Sequence, residues 1–282
     1  MKKSILFALM AIVTLASCKK EGCTDPEALN YSSEAKKDDG SCTYAQDEPT
    51  PPASTLVLIG TGTTTSNESV SLYADEDITT GYTNLYAEVK NGSGDVVNNA
   101  TVTIAPLMDM GMMQHACPVI QPVYNATTEK YEGVVIFQMS SMSGTWTNDV
   151  VVNGEAVTID ITVGESPTKV VGVYTGTDTE KYIVSVVRPE NWVVGNQDLN
   201  IMIHKMATMM SFPEVTDMDI VFWPEMVSMG HSSTGNVDPV HVSNGLYTGT
   251  VNLSMAGDWR LHLELSNNST VIHSDAFLDI LF

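Results

Sequence analysis

Two stretches of the chain combine methionine, histidine and cysteine at close spacing. The first contains Met108, Met110, Met112, Met113, His115 and Cys117, and the second contains Met226, Met229 and His231. Thioether sulfur is a soft, uncharged ligand, so methionines grouped with histidine or cysteine are typical of Cu(I) sites. We therefore predict that both stretches bind copper as Cu(I).

Packing is the competing interpretation of these methionines. Methionine fills irregular gaps in cores, and a loop lying over the end of a domain can use it for that purpose alone. The distribution favours metal binding, because no methionine or histidine occurs between Cys18 and Leu107, where the chain uses other apolar residues. The sequence leaves both interpretations open.

A Met-x-Gly-x-Trp turn follows each methionine-rich stretch. Trp259 follows Trp146 at almost the same interval at which Leu199 follows Leu85. An interval that stays nearly constant over this length indicates a duplicated domain. Both tryptophans are predicted to anchor a core. The turn methionines, Met142 and Met255, are either structural or, in the case of Met255, a further copper ligand.

The elements that must position these residues are short strands. After Leu56 the chain shows runs of Val, Ile, Thr and Tyr at alternating positions, broken by Gly, Asn, Asp and Ser, with no helical period. Seven such strands per unit predict an all-β fold with two tandem immunoglobulin-like β-sandwich domains, at 55–166 and 167–282. Residues 108–130 and 225–245 lack strand character and are predicted to be long functional loops.

Alternation of strands places these loops relative to the turns. Successive connections of a sandwich lie at opposite ends, so we expect the methionine-rich loops at one end and the Met-x-Gly-x-Trp turns at the other. On the same argument, Met206, Met209 and Met210 should lie beside Met255, with His204 at the end of the preceding strand.

The amino terminus has the features of an export signal. Lys2 and Lys3 precede a short apolar run, which is too short to span a bilayer and ends in Leu15-Ala-Ser-Cys18. The ending resembles the bacterial lipoprotein lipobox, which implies a signal peptide at 1–17, cleavage before Cys18 and lipidation of its thiol. The protein is therefore expected to be exported and anchored by lipid to a membrane. We expect this to be the outer membrane, on its periplasmic or surface side.

Cysteines in an exported protein are expected to be paired. Cys23 and Cys42 frame a small segment that closes naturally as one disulfide loop, followed by a Pro-rich linker to residue 54, and Cys117 is left over. The 23–42 segment resembles a short module of exported proteins from Bacteroidetes-type bacteria. Its aspartates, Asp25, Asp38 and Asp39, are either calcium ligands or, as we favour, turn formers.

Composition argues against two classes of function. With 34 acidic and 13 basic residues, a net charge of −21 and no basic stripe, the chain is not expected to bind nucleic acid. It also has no paired acid and base, no Gly-rich phosphate loop and no nucleophile with an identifiable base, so we do not expect an enzyme.

The second unit carries a family resemblance. Its Pro224-x-Met-x-x-Met-Gly-His231 and the following Tyr247 and Met-x-Gly-x-Trp259 resemble YtkA-like and FixH-like domains, small exported β-sandwiches associated with copper handling or oxidase assembly. The resemblance implies Met226, Met229, His231 and Met255 as the matching positions, and a cuproprotein or an oxidase-assembly protein as partner. The first unit is a divergent copy that adds Met112, Met113 and Cys117.

Two functions follow from these observations. The first is a membrane-anchored exported protein that takes Cu(I) in its Met/His loops for buffering, tolerance or delivery. The alternative is a tandem immunoglobulin-like interaction module whose methionine-rich ends are apolar contact surfaces for a protein partner, without metal.

Overall fold

A computed structural model describes these residues of the chain: 20–26, 28, 31–41, 56–189 and 191–282. The chain divides into two compact units, Met1–Ser54 and Thr55–Phe282. The predicted signal peptide, the predicted lipidation site Cys18, Cys42 and the Pro-rich linker lie outside the described residues. In the part that is described, no helix is long and apolar enough to cross a membrane.

The amino-terminal unit contains a buried, disulfide-bonded Cys23. A parallel bridge joins Glu21 to Lys37. The Asp38 and Asp39 carboxylates accept hydrogen bonds from the backbone amides two residues ahead, at 3.1 and 2.9 Å. These are the contacts of turn-forming aspartates.

Nine strands form the first sandwich: β1 (Val57–Thr63), β2 (Ser69–Ala74), β3 (Gly81–Lys90), β4 (Val102–Asp109), β5 (Gln114–His115), β6 (Val119–Asn125), β7 (Lys130–Phe137), β8 (Thr145–Val152) and β9 (Glu155–Ile161). One sheet has the order β1-β2-β3-β7-β6 and the other has the order β5-β4-β8-β9. All the pairings are antiparallel.

Nine further strands form the second sandwich: β10 (Val171–Thr175), β11 (Lys181–Val187), β12 (Gly195–Lys205), β13 (Asp219–Met226), β14 (His231–Ser232), β15 (Val237–Ser243), β16 (Leu246–Leu253), β17 (Asp258–Asn267) and β18 (Thr270–Leu281). Its sheets, β10-β11-β12-β16-β15 and β14-β13-β17-β18, repeat the order of the first sandwich strand for strand. The prediction of an all-β fold built from immunoglobulin-like sandwiches is confirmed.

Alternation of side chains along the strands builds the two cores. In β3, buried and half-buried residues alternate along the whole strand, as expected for a sheet with one face turned to the interior. Trp146 and Trp259 are among the largest fully buried side chains. Their indole nitrogens donate to the carbonyls of Met139 and Met255, at 3.0 and 2.9 Å, so each ring is fixed at the end of its core.

A buried tyrosine braces each sandwich at its other end. The Tyr131 hydroxyl donates to the Val97 carbonyl at 3.0 Å and accepts from the Ala100 amide at 2.9 Å. Tyr247 makes the same pair of bonds with the Val215 carbonyl and the Met218 amide. The connection between β3 and β4 is thereby tied to β7, and its counterpart between β12 and β13 is tied to β16.

The prediction of long strandless loops was wrong. The stretches 108–130 and 225–245 contain β5 and β6, and β14 and β15. The alternation was hidden because β6 and β15 are edge strands that bulge at a proline, where the register slips between Ile120 and Val123 and between Val237 and Val240. Proline is tolerated at a sheet edge and at a bulge, so it does not exclude a strand there.

The two sandwiches pack against each other through an apolar cluster. Ile136 on β7, Ile183 on β11 and Met202 on β12 are buried in it. Each of these side chains lies on the face of its strand opposite to the sandwich core. The outer faces of the two five-stranded sheets are therefore in contact, and an Arg188–Glu76 ion pair of 2.8 Å joins the same two sandwiches.

Candidate metal-binding site

The β4–β5 hairpin brings a methionine and a histidine together. Met108 is paired with His115 on β5 and, on its other side, with Trp146 on β8. The second sandwich repeats this register, with Met226 between His231 and Trp259. One Met–His–Trp row therefore crosses three neighbouring strands in each sandwich.

The rings of each row meet edge to face. The His115 and Trp146 centroids are 5.5 Å apart at 89°, and those of His231 and Trp259 are 5.7 Å apart at 86°. These tryptophans were predicted only as core anchors, and their contact with the histidines was not predicted. Their recurrence at nearly the same interval as the Met/His stretches was the signal that the contact exists.

The glycine of each Met-x-Gly-x-Trp turn makes room for the buried methionine. A Cβ on Gly257 would lie 2.2 Å from the Met226 Cε, and a Cβ on Gly144 would lie 3.1 Å from the Met108 Cε and 2.5 Å from the Asp109 carbonyl oxygen. Both methionines are buried in the cores of their sandwiches. This part of the repeated motif is therefore explained by packing.

The predicted separation of the loops and the turns was also wrong. Asp109, which ends β4, is paired with Thr145, which begins β8, so the methionine-rich turn and the Met-x-Gly-x-Trp turn lie at the same end of the sandwich. The reason is that β6 runs along the sandwich inside the stretch interpreted as a loop. The chain reverses once more than the seven-strand count allowed.

Exposure divides the predicted ligands into two groups. Met108, His115, Cys117 and Met226 are buried, and His231 is half-buried. The turn methionines are exposed to solvent: Met110, Met112, Met113, Met142, Met229 and Met255. Because neighbouring turns carry them at one end of each sandwich, they form a sulfur-rich surface above the Met–His–Trp row.

The hydrogen bond of His115 indicates the tautomer of its ring. Nδ1 lies 2.9 Å from the Ala116 carbonyl oxygen, which can only accept, so Nδ1 carries the proton. In the neutral ring Nε2 then keeps a free lone pair. This atom is buried and has no hydrogen-bond partner among the described residues. Metal-bound histidines commonly have this arrangement, with the second ring nitrogen donating to a backbone carbonyl.

Cys117 is a core residue. It is a free, buried cysteine in the apolar core of the first sandwich. Burial raises the pKa of its thiol well above the ordinary value, so the thiol stays protonated at neutral pH. A thiolate is the form that binds metal, so Cys117 is a poor ligand in this conformation.

The predicted neighbourhood of Met206, Met209 and Met210 was wrong. These residues follow β12, whose end pairs with the start of β11 at Tyr182. Met255 follows β16, whose end pairs with the start of β12 at Gly195. Met255 therefore lies at the opposite end of the sheet. His204, near the end of β12, is buried, and burial lowers its pKa to about 4.

Two other features do not offer a site for a soft metal. Across the described ranges, no three His, Cys, Asp or Glu side chains are grouped so that they could hold an ion. A cavity of about 560 Å³ is lined by residues of both sandwiches, including Gln138, Ser166 and Arg260, but by no methionine, histidine or cysteine.

One family model matches part of the chain. Residues 178–264 match the model of the YtkA-like family. A YtkA-like domain is therefore present in the second sandwich. The matched residues include Met226, Met229, His231 and Met255, so the whole second row lies within the YtkA-like domain, whereas the first sandwich lies outside the match.

Other comparisons add no functional information. No curated protein matches the sequence significantly. Among solved structures, a similarity is found to FdeC, an Escherichia coli adhesin, at 15% identity and a TM-score of 0.26. The alignment covers 79% of this chain and 66% of the adhesin chain.

Proposed function

We propose that the protein binds Cu(I) at the β4–β5 hairpin of the first sandwich and at the β13–β14 hairpin of the second. The observation that carries this proposal is the free Nε2 of His115, whose ring is held by the Nδ1–H bond to the Ala116 carbonyl. A ring nitrogen that has no protein partner, while the other ring nitrogen donates to a backbone carbonyl, is suited to a metal. The YtkA-like match over the second hairpin supports the same assignment.

The donor set fits a soft monovalent ion. Met110, Met112 and Met113 present thioethers on the turn that leads to His115, and Met229 does so beside His231. Thioether and imidazole ligands without carboxylates favour Cu(I) over hard divalent cations. We leave Cys117 out of this set because its thiol is protonated, and assign Met108 and Met226 to packing under the site.

The proposed role is handling of copper outside the cytoplasm. We propose that the first sandwich is a divergent copy of the YtkA-like domain, since both have one strand order and one Met–His–Trp row. The signal and lipidation predicted from residues 1–18 would anchor both sites at a membrane. Copper buffering, tolerance or delivery to a cuproprotein partner are the roles consistent with such a protein.

A Cu(I) titration of the full mature chain tests the proposal. Under reducing conditions, in competition with a chromophoric Cu(I) chelator, we expect uptake of about one ion per sandwich. His115→Gln and His231→Gln should each weaken one site by at least about tenfold, since each removes one ligand nitrogen. His273→Gln is the matched control, because the His273 Nδ1 also contacts a carbonyl but its Nε2 is paired with Asp275. No uptake by the unmodified chain, or equal loss in the control, would refute the assignment.

An interaction module remains the second candidate. The observation that favours it is the exposure of the turn methionines, of which Met112 is fully exposed and Met142 is 87% exposed. Clustered exposed apolar side chains often mark contact surfaces. Met112→Ser with Met142→Ser should then abolish partner capture while His115→Gln leaves it intact, which is the reverse of the pattern expected for a metal site.

A further inference from the structure

The two Met–His–Trp rows differ in how much of the histidine is covered. Strand register, ring distance and ring angle are nearly the same, yet His115 is 6% exposed and His231 is only half-buried. The duplication supplies an internal comparison, because the same hairpin is seen with and without an additional neighbour. That neighbour comes from the other sandwich.

A turn of the second sandwich docks beside the first hairpin. The backbone amide of Ala116, between His115 and Cys117, donates to the Met209 carbonyl at 2.9 Å. Met209 belongs to the connection between β12 and β13, so this hydrogen bond crosses from one sandwich to the other. The bond places the Met209 backbone next to the residue that follows His115.

The docked segment is a fixed turn with methionines at its tip. Thr208 and Ser211 exchange backbone hydrogen bonds of 3.3 Å, and the Thr208 hydroxyl accepts from the Met210 amide at 3.1 Å. Met206 and Phe212, which flank the turn, pack into the apolar cluster between the sandwiches. The tip residues Met209 and Met210 do not join this cluster and stay partly exposed, at 42% and 58%.

The first sandwich has no equivalent of this turn. Its connection between β3 and β4 holds a tight Asn91–Asp95 turn closed by backbone and side-chain bonds, without methionine or histidine. The methionine turn is therefore an addition to the second sandwich alone. Its only hydrogen bond to the first sandwich, among the described residues, is the one next to His115.

We propose that the Cu(I) site at His115 is shared between the two sandwiches, with the thioethers of Met209 and Met210 completing its ligand set. This inference rests on the proposed copper function. The site at His231 is then built from one sandwich alone and is the more accessible of the two. Copper at His115 should tie the sandwiches together and should be released more slowly to an external chelator.

The parent protein for the test is the full mature chain with His231→Gln, in which only the first site remains. Adding Met209→Leu and Met210→Leu keeps apolar volume while removing both sulfurs. We expect Cu(I) affinity to fall at least about tenfold and X-ray absorption to show fewer sulfur neighbours per copper. Met206→Leu is the control, because Met206 flanks the turn and packs between the sandwiches, and this variant should bind Cu(I) as the parent does.

The outcomes separate the two proposals. If the parent binds Cu(I) and the double leucine variant binds with equal affinity and an equal sulfur count, the shared site is wrong and the copper function stands. If neither the unmodified chain nor the parent takes up Cu(I), both proposals fail. If the double variant and Met206→Leu lose affinity equally, the effect comes from the interface and the shared ligand set is wrong.

Discussion

His204 shows how burial sets the chemistry of a single residue. Its side chain is 3% exposed, and its Nδ1 has no hydrogen-bond partner among the described residues. Transfer of a charged ring into such a site is unfavourable, and burial accordingly lowers its pKa to about 4 from the ordinary 6.5. The histidine is therefore neutral in the folded protein under conditions in which the unfolded chain would be protonated.

This pKa difference predicts a loss of stability in mild acid. Between the unfolded and folded pKa values the unfolded chain binds the additional proton, so the free energy of unfolding falls as pH drops from about 6.5 toward 4. From pH 7.5 to pH 5 we expect a loss of roughly 2 kcal/mol, measured by urea denaturation with a copper chelator present. His204→Gln should flatten this pH dependence. An unchanged slope in the variant would show that another group is responsible.

At the scale of elements, the edge strands β6 and β15 each bulge over a glycine. Gly133 on β7 and Gly249 on β16 lie opposite the proline bulges of β6 and β15. Next to each proline, a side chain reaches the opposite sheet: Gln121 Oε1 accepts from the Ile104 amide and Asp238 Oδ1 accepts from the Phe222 amide, both at 2.9 Å. These hydrogen bonds join each bulged edge strand to the opposite sheet of its sandwich.

Gly249→Ala tests this arrangement. The added Cβ would lie 2.4 Å from the Val237 carbonyl oxygen and 2.8 Å from the Pro239 nitrogen, which are backbone atoms that cannot rotate away. We expect a loss of about 1–3 kcal/mol in the free energy of unfolding, with faster amide exchange in β15. Thr250→Ala, on the same strand, should change stability by less than about 0.5 kcal/mol. An equal change in the free energy of unfolding of the two variants would mean that the bulge shifts to accommodate the added methyl group, which would contradict the prediction.

At the scale of the molecule, the interface between sandwiches decides whether they unfold together. Ile136 lies in the apolar cluster and is 1% exposed. Ile136→Asp would bury an unpaired charge and should lower the free energy of unfolding by roughly 3 kcal/mol or more. By calorimetry we expect one unfolding transition for the unmodified chain and two for Ile136→Asp. Val123→Asp, 73% exposed on β6, is the control and should leave one transition. A single unshifted transition in Ile136→Asp would argue against coupling through this cluster.

The sequence by itself determined the all-β class and the repeat. Both depend on local information. Strand alternation is a property of neighbouring residues, and the repeated spacing of Trp146 and Trp259 can be read from the sequence without knowing what either side chain contacts. The methionine-rich stretches were visible for the same reason. Proline hid β6 and β15, because a bulged edge strand lacks the regular alternation on which the prediction depends.

Only the tertiary structure decided which sulfurs face solvent and which lie in the core. Met108 and Met110 have the same side chain two positions apart, yet Met108 is buried in the core and Met110 is exposed on the turn. The pairing of β4 with β8 makes that difference. In the same way, the hydrogen bond between Ala116 and Met209 decides which turn lies beside His115. Such pairings join residues far apart in the chain, so their energies appear only once the strands have met.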